Sequence, residues 1–400
     1  MEVKKLKECC TIIAGQSPES KYYNSNGDGL PFFQGKADFG ELYPSIRVYC
    51  SQPTKIAEKD DILLSVRAPV GPTNLAPCKV CIGRGLTAIR PSEVLLTRYV
   101  LLFFRYFEAQ LASKGTGTTF KAITQDVVKN LEIPIPPLPE QERIVARIEE
   151  LFSQLDAGVE TLKKTKAQLA VYRQAVLKEA FEGRLTQAFR EENGLPDWKT
   201  ISITQAIVQR KNALKAGPFG SALKKECYVP SGYKVYGQEQ VIANNENIGN
   251  YYIDEEKYQE LISCAIAPHD ILISLVGTVG KVLVLSDNCL PGIINPRLIK
   301  VTLDEKIMMP YFFKYYFESA YLKSLYKKKA HGATMDVLNM GMIKELPFPL
   351  CDIQEQGQVI KEIESRLSVC DSIEHTVGLA LQQAEAMRQS ILKAAFEGRL

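Results

Sequence analysis

The sequence lacks an apolar run long enough to cross a membrane as a helix. The longest such stretch, Ile271–Leu285, is interrupted by Gly277, Gly280 and Lys281, and it is shorter than the roughly 20 residues that a bilayer-spanning helix needs. Met1–Ser20 also lacks the apolar core of a secretion signal. The sequence therefore predicts neither membrane insertion nor secretion, and we expect a cytoplasmic protein.

An excess of charge of either sign is also missing. The chain has 49 Lys and Arg residues against 46 Asp and Glu residues, which gives a net charge of +3. This balance neither indicates nor excludes a nucleic-acid partner, so local basic patches have to decide. Hydrophobic residues at 46% and charged residues at 24% are typical of globular proteins. Because 400 residues exceed one ordinary hydrophobic core, we expect at least two globular units.

The ten cysteines do not form a disulfide or zinc-binding pattern. They are scattered along the chain, apart from the adjacent Cys9 and Cys10 and one C-x-x-C pair, Cys78 and Cys81. A zinc ribbon requires a second pair at ligand spacing, and the three histidines are too distant in sequence to replace it. The pattern predicts ordinary thiols in a reducing compartment and no metal site.

No complete catalytic motif is present. Val276–Lys281 resembles a phosphate-binding loop but lacks the first glycine and the Ser or Thr after the lysine. Gly83–Gly85 and Gly115–Gly117 lack the third glycine of a dinucleotide-binding motif. Asn295–Arg297 lacks the second proline and the aromatic residue of an amino-methyltransferase loop. We expect no catalysis by this chain, and an enzyme with a site of another kind stays an alternative.

What the sequence does contain is an internal repeat. Ala180–Leu185 recurs as Ala395–Leu400 at an offset of 215 residues, and the same offset aligns Glu140–Gln141 with Glu355–Gln356. Farther upstream, the pattern Asp-Ile-Leu-x-Ser occurs once in each half. A repeat of this length predicts two half-chains with one common architecture.

Each half shows the same succession of predicted elements. It begins with short β-branched and aromatic runs broken by Gly, Pro, Asn and Asp, which predict strands and loops. Leu101–Leu111 and Pro310–Tyr326 then predict shorter helices. A proline-rich connector follows in each half, Ile133–Pro139 and Leu346–Leu350, and proline favours extended backbone there.

A long helix is predicted after each connector. Glu140–Ala180 has no proline and carries apolar residues every seven positions, which is typical of a coiled-coil seam. At ~1.5 Å per residue this helix would extend about 60 Å, the scale of a rigid spacer. The alternative is that each apolar stripe covers only its own domain. The predicted helix-pairing residues, with smaller side chains in the second half, are Ile148, Leu155, Leu162, Leu169, Val176, Ile363, Cys370, Val377, Ala384 and Ile391.

Cationic loops with aromatic and amide neighbours are the candidates for contacting DNA. Lys and Arg side chains bind phosphates, and amide side chains suit base edges. A short lysine run is often only a solvated face, so each residue stays open between the two interpretations. The candidates are Lys21, Tyr22, Tyr23, Gln34, Lys36, Arg47, Lys114 and Lys121 in the first half, and Phe219, Ser221, Lys224, Lys225, Gln238, Gln240, Lys327, Lys328 and Lys329 in the second.

The assembled pattern resembles the specificity subunit of type I restriction-modification systems. The resemblance rests on the proline-rich connectors, on Leu138–Ile144, on the Ala-Phe-Glu-Gly-Arg-Leu ends, on the Asp-Ile-Leu-x-Ser strands and on Gly217–Lys225. It covers essentially the whole chain. The first half departs from the second at Gly15–Pro18 and Arg67–Pro69, and the family expects its two recognition domains to differ.

The resemblance implies an α+β chain with two similar strand-rich target recognition domains, each followed by a long helix, the two helices packing as an antiparallel coiled coil. The implied domains are residues 1–137 and 186–349, and the implied spacer helices are 138–185 and 350–400. Each domain would read one half of an asymmetric bipartite site in double-stranded DNA. Modification (methyltransferase) subunits, two per chain, would dock on the helices, and a restriction subunit would join them.

The resemblance also implies where the cofactors lie. S-adenosylmethionine, ATP and Mg are expected on the partner subunits, and no cofactor is expected on this chain. The alternative from another class is a non-enzymatic protein-interaction scaffold with paired coiled-coil helices, whose strand-rich domains bind something other than DNA. Sequence-specific retention on duplex DNA would separate the two hypotheses.

Overall fold

The structure is a computed structural model that describes residues 2–115, 122–219, 222–329 and 338–400. The chain divides into two compact units: unit 1 is Met1–Lys163 with Gly378–Leu400, and unit 2 is Lys164–Val377. Each unit therefore takes residues from both long helices. This division follows compactness and does not test where DNA recognition begins or ends, so the predicted domain limits stay predictions.

Unit 1 is built from short strands. In chain order they are β1 (Glu2–Lys5), β2 (Cys10–Ala14), β3 (Tyr23–Asn24), β4 (Leu30–Phe33), β5 (Tyr49–Cys50), β6 (Ile56–Ala57), β7 (Ile62–Ser65), β8 (Thr73–Leu75), β9 (Val80–Ile82), β10 (Leu86–Pro91) and β11 (Glu132–Ile135). They form sheets in the orders β2-β10-β7-β8 and β3-β5-β4-β9-β6 and the pair β1-β11. All four residues of β7 are buried, as expected for a continuous apolar run.

Unit 2 repeats most of this arrangement. Its strands are β12 (Lys199–Ser202), β13 (Leu214–Ala216), β14 (Tyr233–Tyr236), β15 (Tyr252–Ile253), β16 (Ile271–Ser274), β17 (Val282–Val284), β18 (Gly292–Ile294), β19 (Leu298–Val301) and β20 (Pro347–Leu350). The sheet order β13-β19-β16-β17 corresponds to β2-β10-β7-β8, and the pair β12-β20 corresponds to β1-β11. The parallel pair β14-β18 corresponds to β4-β9. The remaining sheet differs, with five strands in unit 1 and three, in the order β15-β14-β18, in unit 2. The sequence repeat is therefore a repeat of the main topology.

The helices include two that are much longer than the others. In chain order the helices are α1 (Leu6–Cys9), α2 (Thr97–Ser113), α3 (Gln125–Lys129), α4 (Leu138–Phe181), α5 (Gln187–Glu192), α6 (Gln238–Ala243), α7 (Glu255–Glu260), α8 (Pro310–Phe317), α9 (Ala320–Lys329), α10 (Met340–Lys344) and α11 (Ile353–Phe396). The two long predicted helices are confirmed as α4 and α11, each 44 residues long. Within the described ranges, none of the helices has an apolar stretch suited to spanning a bilayer.

The shorter predicted helices fare differently. The one over Leu101–Leu111 is confirmed within α2. The prediction of one helix over Pro310–Tyr326 is wrong, because α8 ends at Phe317 and α9 begins at Ala320. Ser319 lies at this break, and its hydroxyl oxygen accepts a hydrogen bond from the Leu322 backbone N–H at 3.3 Å. A serine that caps a new helix favours interruption of the preceding one.

A buried glutamine in each unit fixes the start of a long helix. Gln141 accepts a hydrogen bond from the Leu96 backbone N–H at 2.9 Å. Its amide nitrogen donates to the carbonyl oxygens of Val94 and Pro136, both at 2.8 Å. Gln356 makes the corresponding three hydrogen bonds in unit 2, at 2.9, 2.9 and 3.0 Å. The repeated Glu-Gln sequence thus marks the junction of helix and strands in each unit.

Opposite ends of the two long helices contribute to each unit's core. In unit 1, Ile148 near the start of α4 belongs to the same core as Leu392 near the end of α11. In unit 2, Val176 near the end of α4 belongs to the same core as Ile363 near the start of α11. Most predicted helix-pairing residues are buried (Ile148, Leu169, Val176, Ile363, Cys370, Val377 and Ala384), and the others are half-buried (Leu155, Leu162 and Ile391).

Ion pairs also join the long helices inside each unit. In unit 1 the guanidinium of Arg388 on α11 contacts the carboxylate of Asp156 on α4. In unit 2 Arg173 on α4 contacts Asp371 on α11 at 2.5 Å. Each residue of one pair lies 215 positions from its counterpart in the other. The same ion pair thus occurs in both units, with the arginine on α11 and the aspartate on α4 in unit 1 and the reverse in unit 2.

Candidate nucleic-acid interface

The candidate residues of unit 1 lie mainly in loops that flank short strands. Gln34 and Lys36 directly follow β4, Arg47 precedes β5, and all three are exposed. Lys21 is also exposed, and its amine lies 4.9 Å from the ring centroid of Tyr22. The cations among them, Lys21, Lys36 and Arg47, are accessible to a phosphate backbone.

Two other candidates of unit 1 have clear structural contacts. The Tyr23 hydroxyl donates to the Pro18 carbonyl oxygen at 2.8 Å, and its ring stacks on Phe32 with centroids 4.7 Å apart. Tyr23 therefore supports the loop that carries its neighbours. Lys114 is exposed directly after α2, and its amine lies 5.6 Å from the ring centroid of Phe107. Lys121 lies outside the described residues.

The candidate loop of unit 2 begins at Gly217. A Cβ atom at this position would lie 1.8 Å from the carbonyl oxygen of Asn295, so only glycine permits this close approach of the two backbones. Phe219 is 90% exposed, and Lys224 and Lys225 are exposed as well. The loop therefore presents an aromatic ring and two cations to solvent.

The two glutamines of unit 2 among the candidates have different environments. Gln240 is fully buried; it accepts a hydrogen bond from the Gly237 backbone N–H at 2.8 Å and donates to the Ile248 carbonyl oxygen at 2.9 Å. Its amide is thus used in capping α6. Gln238 is half-buried, and its amide nitrogen donates to the Ser274 hydroxyl at 2.8 Å.

The remaining candidates have no described side-chain position. Ser221 lies outside the described residues. The side chains of Lys327, Lys328 and Lys329, at the end of α9, lie outside the described part of the chain as well. Nothing in the geometry therefore bears on these four residues.

Two exposed arginines were missed as candidates from sequence. Arg84 lies between β9 and β10, and Arg297 lies in the corresponding connection between β18 and β19. In the sequence, Gly83–Gly85 and Asn295–Arg297 show only a partial resemblance to enzyme motifs. A basic residue in one short connection of both halves was the feature that could have identified them.

In each unit a buried aspartate forms an ion pair with a cation on the strand that follows the connection. In unit 1 the Arg90 guanidinium binds the Asp61 carboxylate at 2.7 Å, and this hydrogen bond raises the pKa of Arg90. In unit 2 the Lys300 amine lies 3.7 Å from the Asp270 carboxylate, and both side chains are buried. Burial raises the pKa of Asp270 and lowers that of Lys300. An ion pair thus stabilises the strand that follows each connection, β10 in unit 1 and β19 in unit 2.

The cysteines and metal-ligand residue types form no recognisable site in the described structure. All ten cysteines are free thiols, and seven of them are buried. Within the described ranges, no group of three or more His, Cys, Asp or Glu side chains is arranged to hold a metal ion.

Comparisons with known proteins agree with the duplicated architecture. A family model described as type I restriction modification DNA specificity domain matches residues 1–170 and 219–382. The type I restriction enzyme MjaX specificity subunit of Methanocaldococcus jannaschii is 39% identical over 175 residues, which cover 44% of this chain and 40% of that relative. The StySPI specificity subunit of Salmonella potsdam is 26% identical over 337 residues, 81% of this chain and 70% of that relative.

One solved structure supports the fold over the full length. A chain from a study of complex assembly in the type I R-M system has a TM-score of 0.74 at 17% identity, covering 100% of this chain and 98% of that one. The family model covers more than half of this chain and matches each half once. The chain therefore belongs to the specificity-subunit family of type I restriction-modification systems, with one DNA specificity domain in each half.

Proposed function

We propose that this chain is the DNA sequence-recognition subunit of a type I restriction-modification complex, in which each half reads one part of an asymmetric bipartite site. The observation that carries this proposal is that one specificity-domain model matches both halves. The two units share their main strand order and expose cations on their loops. Two related readers suit two half-sites on one duplex.

The proposed recognition domains are residues 1–137 and 186–349. Their exposed cations supply the phosphate contacts that position a protein on DNA, and their polar side chains supply contacts to base edges. Gln240 is left out of the proposed surface because it is fully buried. The proposed contacts with described side chains are Lys21, Tyr22, Tyr23, Gln34, Lys36, Arg47 and Lys114 in the first half and Phe219, Lys224, Lys225 and Gln238 in the second.

The long helices, within residues 138–185 and 350–400, are proposed to pair as an antiparallel coiled coil that spaces the two readers. Support comes from the cores, where opposite ends of α4 and α11 meet in each unit. The reciprocal ion pairs of Arg173 and Arg388 support the same pairing. Heptad spacing of apolar residues is the sequence pattern that such a pair requires.

The helices are also the proposed docking surface for two modification subunits, and a restriction subunit would join that assembly. Chemistry that depends on S-adenosylmethionine, ATP and Mg is assigned to these partners. This chain contributes binding and spacing, and no catalytic step. Its strand-rich units then determine where the partners act.

The proposal is tested on the assembled complex of this chain with its modification subunits. Methylation of a random duplex library is expected only at sites that contain two fixed blocks of bases separated by a gap. Methylation without a sequence preference would favour the scaffold alternative. The matched control is the isolated chain with labelled S-adenosylmethionine, which is expected to transfer no label above the blank.

The spacer role has its own test, insertion of one heptad near Thr165. Seven residues keep the apolar period and add ~10 Å to a helix, which corresponds to about three base pairs of duplex. We expect the gap between the two blocks to lengthen while the bases themselves are unchanged. A four-residue insertion, which rotates the seam out of phase, is the control. An active heptad variant that keeps the original gap would leave the helices as docking surfaces only.

A further inference from the structure

A small polar recess lies beside the Gly217 loop of unit 2. It has a volume of about 220 Å³, and its lining includes Tyr228, Gln238, Glu239, Tyr251, Asn295 and Arg297. A recess with amide, carboxylate and guanidinium groups offers hydrogen bonds of several kinds within a few ångströms. Base edges in DNA grooves are recognised by groups of these types.

The amide of Gln238 is fixed in one orientation. Its nitrogen donates to the Ser274 hydroxyl at 2.8 Å and also to the carbonyl oxygen of Val276. With its nitrogen held in this way, the amide oxygen of Gln238 faces Arg297, whose guanidinium Nη1 lies 3.5 Å away. Gln238 is therefore placed to orient the arginine.

The backbone of Arg297 is held by hydrogen bonds, while its side chain is accessible to solvent. Its N–H donates to the Asn295 side-chain oxygen at 2.9 Å, and the Asn295 N–H donates to the Tyr236 carbonyl oxygen at 2.9 Å. Pro296 further restricts the connection. The Arg297 side chain is exposed, and no carboxylate among the described side chains forms an ion pair with it. A preorganised guanidinium without a charge partner is suited to an external acceptor.

The negative charge of Glu239, which lies near Arg297, favours a base over a phosphate as the group that Arg297 binds. Glu239 lines the same recess, and its carboxylate repels a phosphate group. A carboxylate can instead accept a hydrogen bond from the N4 amino group of cytosine, while arginine donates two hydrogen bonds to O6 and N7 of guanine. The pair of side chains thus matches the major-groove edge of a G·C base pair.

We infer that Arg297 is a specificity-determining residue that binds the guanine of a G·C pair in the half-site read by the second half of the chain, with Gln238 as its positioning residue. This inference rests on the proposed function. It specifies which residue binds, which base pair is recognised and in which half-site that base pair lies.

Unit 1 does not have the same pair of residues. Leu298 pairs with Ser274 as Leu86 pairs with Ser65, so the position of Arg297 is occupied by Gly85 in unit 1. The strand pairs β4-β9 and β14-β18 are likewise in register, which places Gly35 at the position of Gln238. The inferred contact therefore belongs to the second half alone.

The test uses the assembled complex and a duplex library in which each position of the recognised site is varied in turn. For Arg297→Ala we expect the preference for G·C to fall by about 5- to 150-fold at one position of one half-site, the range for loss of a bidentate base contact. Preferences at the other half-site stay unchanged. Gln238→Ala is expected to reduce the preference at the same position by a smaller factor, because the guanidinium is retained but less well oriented.

Two matched variants separate base contact from charge. Arg297→Lys keeps the charge but not the planar fork, so it is expected to lose most of the preference. Lys306→Ala removes an exposed charge on the connection after β19 and is expected to keep all preferences. An Arg297→Ala complex that keeps every preference, or that weakens binding equally for all sequences, overturns the inference. A wild-type complex without any preferred site overturns the proposed function itself, and the inference with it.

Discussion

The two units share the strand order of their four-stranded sheets but differ where an aromatic ring packs at the end of a long helix. In unit 1 the ring of Phe396 stacks on Tyr106 with centroids 5.6 Å apart. In unit 2 the corresponding Phe181 contacts Tyr316, while Ser319 takes the position of Tyr106. A groove of about 840 Å³, lined in part by Phe181, Tyr316 and Ser319, lies there instead. The repeat thus preserves the buried framework and lets the neighbouring surface diverge.

The same division applies to the loops. The buried aspartate before β7 and the one before β16 each bind a cation on a neighbouring strand. By contrast, Arg297 and Gln238 of unit 2 correspond to Gly85 and Gly35 of unit 1. The buried aspartates are repeated at equivalent positions, whereas Arg297 and Gln238 on the proposed DNA surface are not. Two domains of one fold can in this way recognise two different sequences.

The largest effect on stability is expected from Asp270→Ala. Removing this carboxylate leaves Lys300 buried, with 8% of its side chain exposed, and without its charge partner. We expect the free energy of unfolding to fall by about 3–5 kcal/mol, the usual cost of breaking a buried ion pair. Urea denaturation at neutral pH measures this change.

The matched control is Asp61→Ala in unit 1. The Arg90 side chain is 41% exposed, so its guanidinium can be hydrated once the carboxylate is gone. A loss of about 1–3 kcal/mol is expected, as for removal of a buried hydrogen-bonding group. Equal losses for the two variants would contradict the view that burial of the cation sets the difference.

A loss smaller than that of Asp270→Ala is expected from Tyr106→Ser, which gives unit 1 the side chain that unit 2 has at this position. It removes the ring stacked on Phe396, and since Tyr106 is only half-buried we expect about 1–3 kcal/mol. Tyr106→Phe retains the ring and should match the wild type in thermal unfolding. If Tyr106→Ser is as stable as the wild type, the stacked ring does not support unit 1.

DNA binding by the assembled complex gives the next prediction. Lys224→Ala together with Lys225→Ala removes two exposed cations from the Gly217 loop. We expect weaker binding to every sequence and a slope of log affinity against log salt that is shallower by up to about two, because fewer counterions are released. An unchanged slope with an intact fold would make these lysines a solvated surface only.

The smallest effect is a pH dependence of the unfolding free energy that comes from His269 in unit 2. His269 contacts Glu305 at 2.7 Å and Asp287 at 2.9 Å, and the hydrogen bond to Glu305 raises the pKa of His269. The resulting stability is complete below the unfolded pKa of about 6.5 and is lost as the pH rises through the folded value. Because the imidazole is partly exposed, we expect less than about 1 kcal/mol.

His269→Asn is the variant for this test. His269 has a φ of 65°, and Asp60 has a φ of 66° at the corresponding position of unit 1; asparagine tolerates this conformation. The wild type is expected to exceed the variant in unfolding free energy at pH 5.5 and to match it well above the folded pKa. A difference that does not change with pH would rule out the imidazolium as its source.

Much of the framework could be predicted from the sequence because it is encoded locally or repeated. Heptad spacing predicted α4 and α11, and the glycine of the Ala-Phe-Glu-Gly-Arg-Leu ends has a physical reason. Gly183 and Gly398 have φ values of 72° and 73° just after these helices, a conformation that favours glycine at a helix C-terminus. The break between α8 and α9 was not predicted, because it depends on one serine cap.

The candidate interface was harder to predict, because its composition depends on contacts between distant segments. Gln240 and Gln238 look equivalent in sequence, yet only Gln240 is turned inward to cap α6. Arg297 was missed because its environment is assembled by Gln238, the first residue of α6, and by Ser274, the last residue of β16. Sequence spacing alone does not contain these tertiary contacts.

The central claim is that each half of the chain reads its own half-site. The most direct measurement joins residues 1–185 to the second half of a related specificity subunit and determines the methylated sites of the assembled hybrid by sequencing. The account predicts that the half-site of the first half is retained and that the other is replaced by that of the donor. A folded, active hybrid that retains neither parental half-site would contradict it.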